Sequence, residues 1–288
     1  MSQIKISVII PTYHRNDLLR KCLDCLKPEV QTLPADQYEV IVTDDGSKTT
    51  AEEMIHDDYP WVKWVVGPRQ GPAANRNNGA SYAQGEWLVF TDDDCLPQPN
   101  WLNAFAQATN GEALALEGAI HPLGDFKQDM AECPINLTGG CFWSANIAIE
   151  RSLFEKIGGF DSSYPLAAHE DVDIKLRLAP LTTISFIPDA SIFHPVRIIP
   201  LKEVIARIPK QCAAWAYHVN KNKNALGYDQ AFSLPIEQNK FHLLGLMRNF
   251  RSRRFKSACS SLAMLIFGIP LILLYVHRLE TSDKHQAV

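Results

Sequence analysis

The residues best suited to do chemistry lie together at the end of one short apolar run. Trp87, Leu88, Val89 and Phe90 have the β-branched and aromatic character of a buried strand, and Thr91 leads directly into Asp92, Asp93 and Asp94. Cys95 follows, and Pro97 and Pro99 turn the chain. Three adjacent carboxylates repel and raise one another's pKa unless a cation lies between them. A hard divalent ion takes oxygen ligands, and Mg²⁺ is usually bound by one or two carboxylates together with substrate phosphates. Two readings follow: a metal and phosphate site at the carboxyl end of a strand, or a solvated acidic turn.

The elements that position this run are read from periodicity. Residues 4–10 form a β-branched first strand that ends at Pro11, with Pro11-Thr12-Tyr13 as a turn. Residues 15–26 have helical spacing, and Cys22 and Cys25 sit on that helix face without a second ligand pair nearby. Residues 38–43 are the second strand, ending in Asp44-Asp45-Gly46-Ser47; residues 51–56 are a short helix, 62–66 a third strand, 72–83 a helix and 87–91 the fourth strand. Four strand and helix alternations imply parallel strands joined by crossover helices. Such sheets bind ligands beyond the carboxyl ends of their strands, where Thr12, Tyr13, Asp44, Asp45 and Asp92 to Asp94 all fall. Pro11-Thr12-Tyr13-His14 matches neither a dinucleotide fingerprint nor a P-loop, so a bound nucleotide would need a metal to offset its phosphates. Further on, residues 101–108, 151–157 and a segment opened by Glu170 and Asp171 read as helices. Residues 113–117, 141–149 and 183–187 read as strands, with His194 in a turn after the last.

Composition narrows the class. Apolar residues make up 46% of the chain, enough for a sizeable core, and a formal net charge of −4 gives no pull toward nucleic acid. Seven Cys without regular spacing suit a reducing compartment. No leader is expected, because Met1 runs almost directly into a strand.

Taken in order, Ser7-Val8-Ile9-Ile10-Pro11-Thr12-Tyr13, Asp44-Asp45-Gly46-Ser47, Arg76-Asn77-Asn78-Gly79, Asp92-Asp93-Asp94, Gly158-Gly159-Phe160-Asp161 and Glu170-Asp171 resemble the motifs of family 2 glycosyltransferases. The resemblance covers residues 6–194, about two thirds of the chain. It implies an α/β GT-A fold, a Rossmann-like α/β/α sandwich with a mixed, mostly parallel central sheet. It also implies inverting transfer of a sugar from a nucleotide-sugar donor, UDP-linked in most members, to an acceptor hydroxyl. By the same resemblance Pro11, Thr12 and Tyr13 form the donor-binding first loop, Asp44 accepts from the base, and Arg76 lies near the nucleotide. Asp92 and Asp93 face the donor, Asp94 and His194 hold Mn²⁺ or Mg²⁺, and Asp171 is the catalytic base. Trp143 is a candidate for stacking on an acceptor sugar, against the alternative that it belongs to the core, and Asn146 is a candidate for lining the acceptor pocket. Glu170 orients Asp171 or the acceptor. The Gln-x-x-Arg-Trp signature of processive members is broken in Gln211-Cys212-Ala213-Ala214-Trp215, which favours addition of a single sugar. The competing readings are a sugar nucleotidyltransferase, which normally carries a Gly-rich basic loop after its first strand, and a non-catalytic nucleotide-sugar-binding relative.

The expected division is a catalytic domain over 1–200, with a donor half at 1–110 and an acceptor half at 111–200, then a helical region over 201–288. Within that region residues 262–276 are uncharged and apolar. As a helix they would span about 22 Å at 1.5 Å per residue, short of the ~30 Å hydrocarbon core, and Pro270 would kink them. Arg251, Arg253, Arg254 and Lys256 precede them. The expectation is a membrane-associating segment on the cytoplasmic face of the membrane, serving a glycan or lipid-linked acceptor, or a buried soluble helix.

Overall fold

A computed structural model describes residues 4–165, 168–226 and 233–286. It divides into two compact units. The first holds residues 4–124, 133–162 and 170–195; the second holds 125–132, 163–169 and the chain from Val196 onward.

The first unit is built on one eight-stranded sheet. In chain order its strands are β1 (Ile6–Thr12), β2 (Tyr38–Asp44), β3 (Val62–Val66), β4 (Trp87–Thr91), β5 (Leu96–Pro97), β6 (Ala115–Leu123), β8 (Asn146–Glu150) and β9 (Ile184–Pro195). Strand β7 (Ala131–Glu132) belongs to the second unit. The spatial order is β3-β2-β1-β4-β8-β6-β9-β5. Pairs β3/β2, β2/β1, β1/β4 and β6/β9 are parallel; β4/β8, β8/β6 and β9/β5 are antiparallel. This is the mixed, mostly parallel sheet expected.

The period-2 alternation of the strands builds two cores. Ile6, Val8 and Ile10 of β1 face the layer of α1 (Asn16–Cys25), α2 (Glu52–Asp58) and α4 (Trp101–Ala108). Ile9 faces the opposite layer, where Ala73 of α3 (Pro72–Ser81), Phe154 of α5 (Arg151–Lys156) and Ile174 of α6 (Glu170–Leu178) pack with Phe90 of β4 and Phe160. Cys22 is buried in the first core and all seven cysteines are free, so the Cys22-x-x-Cys25 pair serves the helix face.

Three boundaries differ from the sequence reading. Pro11 and Thr12 continue β1, because β2 runs alongside as far as Asp44 and pairs with Thr12. Strand β8 begins only at Asn146, and the residues before it form a loop. Strand β9 runs on through His194: its register against β6 jumps from Gly118↔Ile187 to Ala119↔Ser191, and this bulge takes up Pro188 and Asp189, which read as a strand end. His194 therefore sits in a strand and not in a turn.

Two buried polar side chains knit the second half of this sheet. Glu117 lies 3% exposed in the middle of β6. Its carboxylate accepts from the backbone N–H of Gly140, Cys141 (3.1 Å) and Phe142 (2.7 Å) and from Asn136 Nδ2 (3.0 Å). A buried acid on an apolar strand needs such partners, and these hold a loop whose Gly139 and Gly140 have φ of +82° and +93°. Asn146 accepts from Trp101 Nε1 at 2.8 Å and donates to the carbonyls of Ala119 (2.9 Å) and Ala190 (2.8 Å). Gly118 leaves room for this: a Cβ there would meet Ala190 O at 2.1 Å and Asn146 Nδ2 at 2.3 Å.

The second unit is helical, with a small antiparallel pair of β7 and β10 (Arg197–Ile198). Its helices are α7 (Leu201–Leu226), α8 (Ser233–Arg251), α9 (Phe255–Ala263) and α10 (Ile269–Gln286). Ile272 and Val276 of α10 pack on Ile208, Cys212 and Ala216 of α7. Two earlier segments group here for visible reasons. Asp129 accepts from the N–H groups of Lys256 (2.8 Å) and Ser257 (2.9 Å) at the start of α9. The His169 ring lies 4.8 Å from that of Trp215. The helical assignment runs on through Pro270, where a kink was expected. A π turn over Met264–Gly268 joins α9 to α10 and absorbs the clash that a proline makes with the preceding turn. Phe255–Leu279 is thus one apolar helical run of 25 residues, about 37 Å at 1.5 Å per residue.

Asn146→Leu leaves an indole N–H and two carbonyls buried without partners. It should lower unfolding stability by about 3 kcal/mol, read as a lower thermal midpoint. An unchanged midpoint with lost activity would instead return Asn146 to the acceptor pocket.

Candidate active site

The three carboxylates that follow β4 take different sets of partners, with Arg15 shared by two of them. Asp93 is fully buried; its Oδ2 accepts from Thr12 Oγ1 at 2.8 Å and its Oδ1 lies 2.7 Å from Arg15 Nη2. Asp92 Oδ1 lies 2.6 Å from Arg76 Nη2. Burial pushes the Asp92 carboxyl up, but Arg76, with His194 and Arg15, outweighs it and holds the group below the usual carboxylate range. Asp94 Oδ2 is 3.3 Å from Arg15 Nη1, and Asp94 Oδ1 is 3.6 Å from His194 Nε2.

That last contact bears on a metal. His194 Nδ1 lies 2.9 Å from Pro195 O. A carbonyl only accepts, so in the neutral ring Nδ1 carries the proton and Nε2 presents its lone pair toward Asp94. Two electron-pair donors then face one another, an arrangement that a cation between them relieves. Ligand atoms of Asp92, Asp94, Cys95 and His194 all lie within 4.8 Å of one another. Cys95 fits poorly, since burial pushes its thiol well above its ordinary pKa and the S–H points to Ala145 O. The carboxylates and imidazole suit Mn²⁺ or Mg²⁺.

A second acidic group opens α6. Glu170 is 5% exposed, and its Oε1 is 3.6 Å from Arg76 Nη1. Burial and the neighbouring Asp171 charge push Glu170 up to about 7, against the pull of Arg76. Burial also raises Asp171, opposed by Arg76 and by hydrogen bonds from Ser144. Glu170 Oε2 and Asp171 Oδ1 are buried and accept no hydrogen bond. Arg76, itself 5% exposed, stands between the strand-end carboxylates and this pair.

The other predicted residues are placed differently. Tyr13 is 58% exposed beyond β1, its ring 4.2 Å from that of His14. Pro11 is buried in β1 beside Thr12. Asp44 is buried, and its carboxylate accepts from Gly46 N (2.7 Å), Ala51 N (2.6 Å) and Trp64 Nε1 (3.3 Å), so it closes the loop after β2. Trp143 is half-buried against the larger core, and Asn146 is spent on the fold as described above. Sequence reasoning missed Arg15 and Glu117. The available signals were a cation three residues past Thr12 and a lone acid inside an apolar strand.

The profile of Glycosyl transferase family 2 matches residues 7–120, from β1 through Asp92 to Asp94 and into β6. Over that segment the chain is similar to glycosyl transferase family 2. Over 217 residues it is 28% identical to validoxylamine A glucosyltransferase of Streptomyces hygroscopicus subsp. limoneus, an alignment covering 60% of this chain and 47% of the relative. Over 126 residues it is 32% identical to the GalNAc(5)-diNAcBac-PP-undecaprenol beta-1,3-glucosyltransferase of Campylobacter jejuni, covering 42% of this chain and 38% of that one. The chain thus spans about half or less of the length of these relatives. A mannosyltransferase of Pyrobaculum calidifontis, solved with GDP-Man and Mn²⁺, superposes with a TM-score of 0.56 at 18% identity, covering 99% of this chain and 76% of that one. That likeness shows the GT-A fold.

Asp94→Ala removes one of the two facing donors while leaving Arg15 paired with Asp93. Calorimetric titration with MnCl₂ should show no measurable binding to the variant at an unchanged thermal midpoint; retained affinity would place the metal elsewhere.

Proposed function

We propose that this protein transfers a single sugar, with inversion, from a nucleotide-sugar donor to a hydroxyl of a glycan or lipid-linked acceptor. The observation that carries the reading is the pairing of two acidic groups across Arg76. One can hold a cation and a diphosphate, and the other retains buried carboxylate oxygens with no hydrogen-bond donor. The Pyrobaculum neighbour, solved with GDP-Man and Mn²⁺, supports the donor class and the cation.

A divalent ion held by Asp94 and His194 would supply positive charge for a departing diphosphate. The chain does the rest. Thr12 and Arg15 tie the donor loop to Asp93 and so set its distance from the strand end. Tyr13 offers an exposed ring to the base, and Asp44 shapes the loop beside it. Arg76 neutralises Asp92 and holds Glu170 close. Asp171 accepts the acceptor's proton at Oδ1 as its oxygen attacks from the face opposite the leaving group. Burial raises the pKa of this base toward neutrality, which improves proton transfer at the operating pH. Location on the cytoplasmic face of a membrane, through the apolar run at 262–276, fits a lipid-linked acceptor, and the Campylobacter relative is named for one.

A panel of UDP-, GDP- and dTDP-sugars with and without Mn²⁺ tests the reading; no Mn²⁺-dependent turnover of any donor would overturn it. Asp171→Asn should retain donor affinity and lower transfer by roughly 10²–10⁴-fold.

The pH profile gives an independent check. Glu170 and Asp171 titrate as a pair with raised values, Glu170 near 7, so the rate should rise with pH through an inflection above the ordinary carboxylate range. A rate flat between pH 5 and 8 would remove this pair from the chemistry.

A further inference from the structure

Helix α8 carries a run of large exposed apolar side chains. Phe241, Leu244 and Phe250 are 67%, 65% and 63% exposed, and with Leu243 and Met247 they fan over about half of the helix circumference at ~100° per residue. The opposite side, with Asn249 buried and Gly245 facing Ser261 of α9, packs on its neighbour. The two helices form a hairpin whose turn places Arg253 at φ 56° and stacks Phe250 edge-on against Phe255 at 5.6 Å. The outward apolar surface continues along the second arm through Phe255, Leu262, Ile266 and Phe267. Soluble proteins rarely leave a patch of this size uncovered.

Charge identifies what covers it. From Lys240 to Leu279 the sequence holds seven Lys and Arg residues and no Asp or Glu, in a chain whose net charge is −4. Arg248 and Arg251 rise among the exposed apolar side chains of α8, and together with Phe241, Leu244 and Met247 they line a shallow groove. A second copy of the chain would set like charge against like. An anionic lipid surface takes both the apolar side chains and the cations.

The same unit also sets the orientation. Phe255–Leu279 is long and apolar enough to cross a bilayer, and 17% of its most apolar window is buried. One flank is nonetheless packed on α7, which exposes Lys202, Glu203, Lys210, Lys221 and Lys223 along its length. Carrying those charges into hydrocarbon would be prohibitive. We propose that the hairpin of α8 and α9 lies in the plane of an anionic phospholipid bilayer. Phe241, Leu244, Met247, Phe250 and Phe267 are immersed, and Arg248 and Arg251 rest on lipid phosphates. This inference deepens the membrane location proposed above and extends it to a helix outside the apolar run.

The test is flotation of the full chain with vesicles of phosphatidylcholine alone or with 30% phosphatidylglycerol. The protein should float with the anionic vesicles and release at high salt. Arg248→Gln with Arg251→Gln should weaken partitioning by roughly 30-fold, and Phe241→Glu with Phe250→Glu should abolish it, with thermal midpoints unchanged because these side chains are exposed. Failure of the native protein to float, or flotation of the Phe variant like the native protein, overturns the proposal. So does a lipid-free dimer that the Phe variant disperses, which would make a second copy the occupant. Protection of the chain beyond Leu279 from protease added outside sealed vesicles would show a crossing helix and overturn the in-plane arrangement. Mn²⁺-dependent donor hydrolysis, measured on the same samples without lipid, separates the readings: its absence with flotation intact defeats the transferase reading alone.

Discussion

Five carboxylates gathered at one edge of a sheet cannot all ionise unless positive charge is threaded between them. That constraint shapes the first unit. Arg15, from the loop after β1, bridges Asp93 and Asp94, and Arg76, from α3, bridges Asp92 and Glu170. Each guanidinium is therefore also a strut that ties a separate element to the end of β4. Where the compensation is complete, as at Asp92, the carboxyl is held low. Where it is incomplete, at Glu170 and Asp171, it stays high. The uneven distribution divides one acidic cluster into a part suited to binding charge and a part suited to accepting a proton.

Such a cluster works only if its frame does not yield. The frame is supplied by polar groups buried deep in the second half of the sheet. Glu117 organises the loop that precedes β8, and Asn146 joins α4, β6 and β9 through a single carboxamide. Ser144, which hydrogen-bonds to Asp171, lies between the loop that Glu117 holds and the strand that Asn146 anchors. The geometry of Asp171 is thus inherited from buried hydrogen bonds in the sheet. Fully satisfied polar networks in a low-dielectric interior are stiff for this reason.

The helical unit follows a different logic. Its core is small, built from Ile208, Cys212, Ala216, Ile272 and Val276, and much of its apolar surface faces outward. The π turn before Pro270 joins α9 to α10, and exposed apolar side chains lie on both of its sides, Phe255 and Leu262 before it and Leu274 after it.

Much of the first unit was legible locally. Alternating β-branched runs marked β1 to β4 within a few residues, and acidic or hydroxyl residues at three strand ends marked the site, because parallel topology brings strand ends together. The ordered motifs identified the family. What remained illegible depended on long separations. Thr12 meets Asp93 across 81 positions and Trp101 meets Asn146 across 45, and no window of sequence contains either pair. Asn146 looked like a pocket residue because an amide on a strand has no local sign of its partners. His194 looked like a turn residue because Pro188 and Asp189 normally end a strand, and only pairing with β6 and β5 on both sides carries β9 past them. The sequence by itself determined which groups could do chemistry and which strand ends would carry them. Tertiary structure alone decided which carboxylate each arginine neutralises, since burial and partnership, which set the charge of every group here, are properties of packing and not of order along the chain.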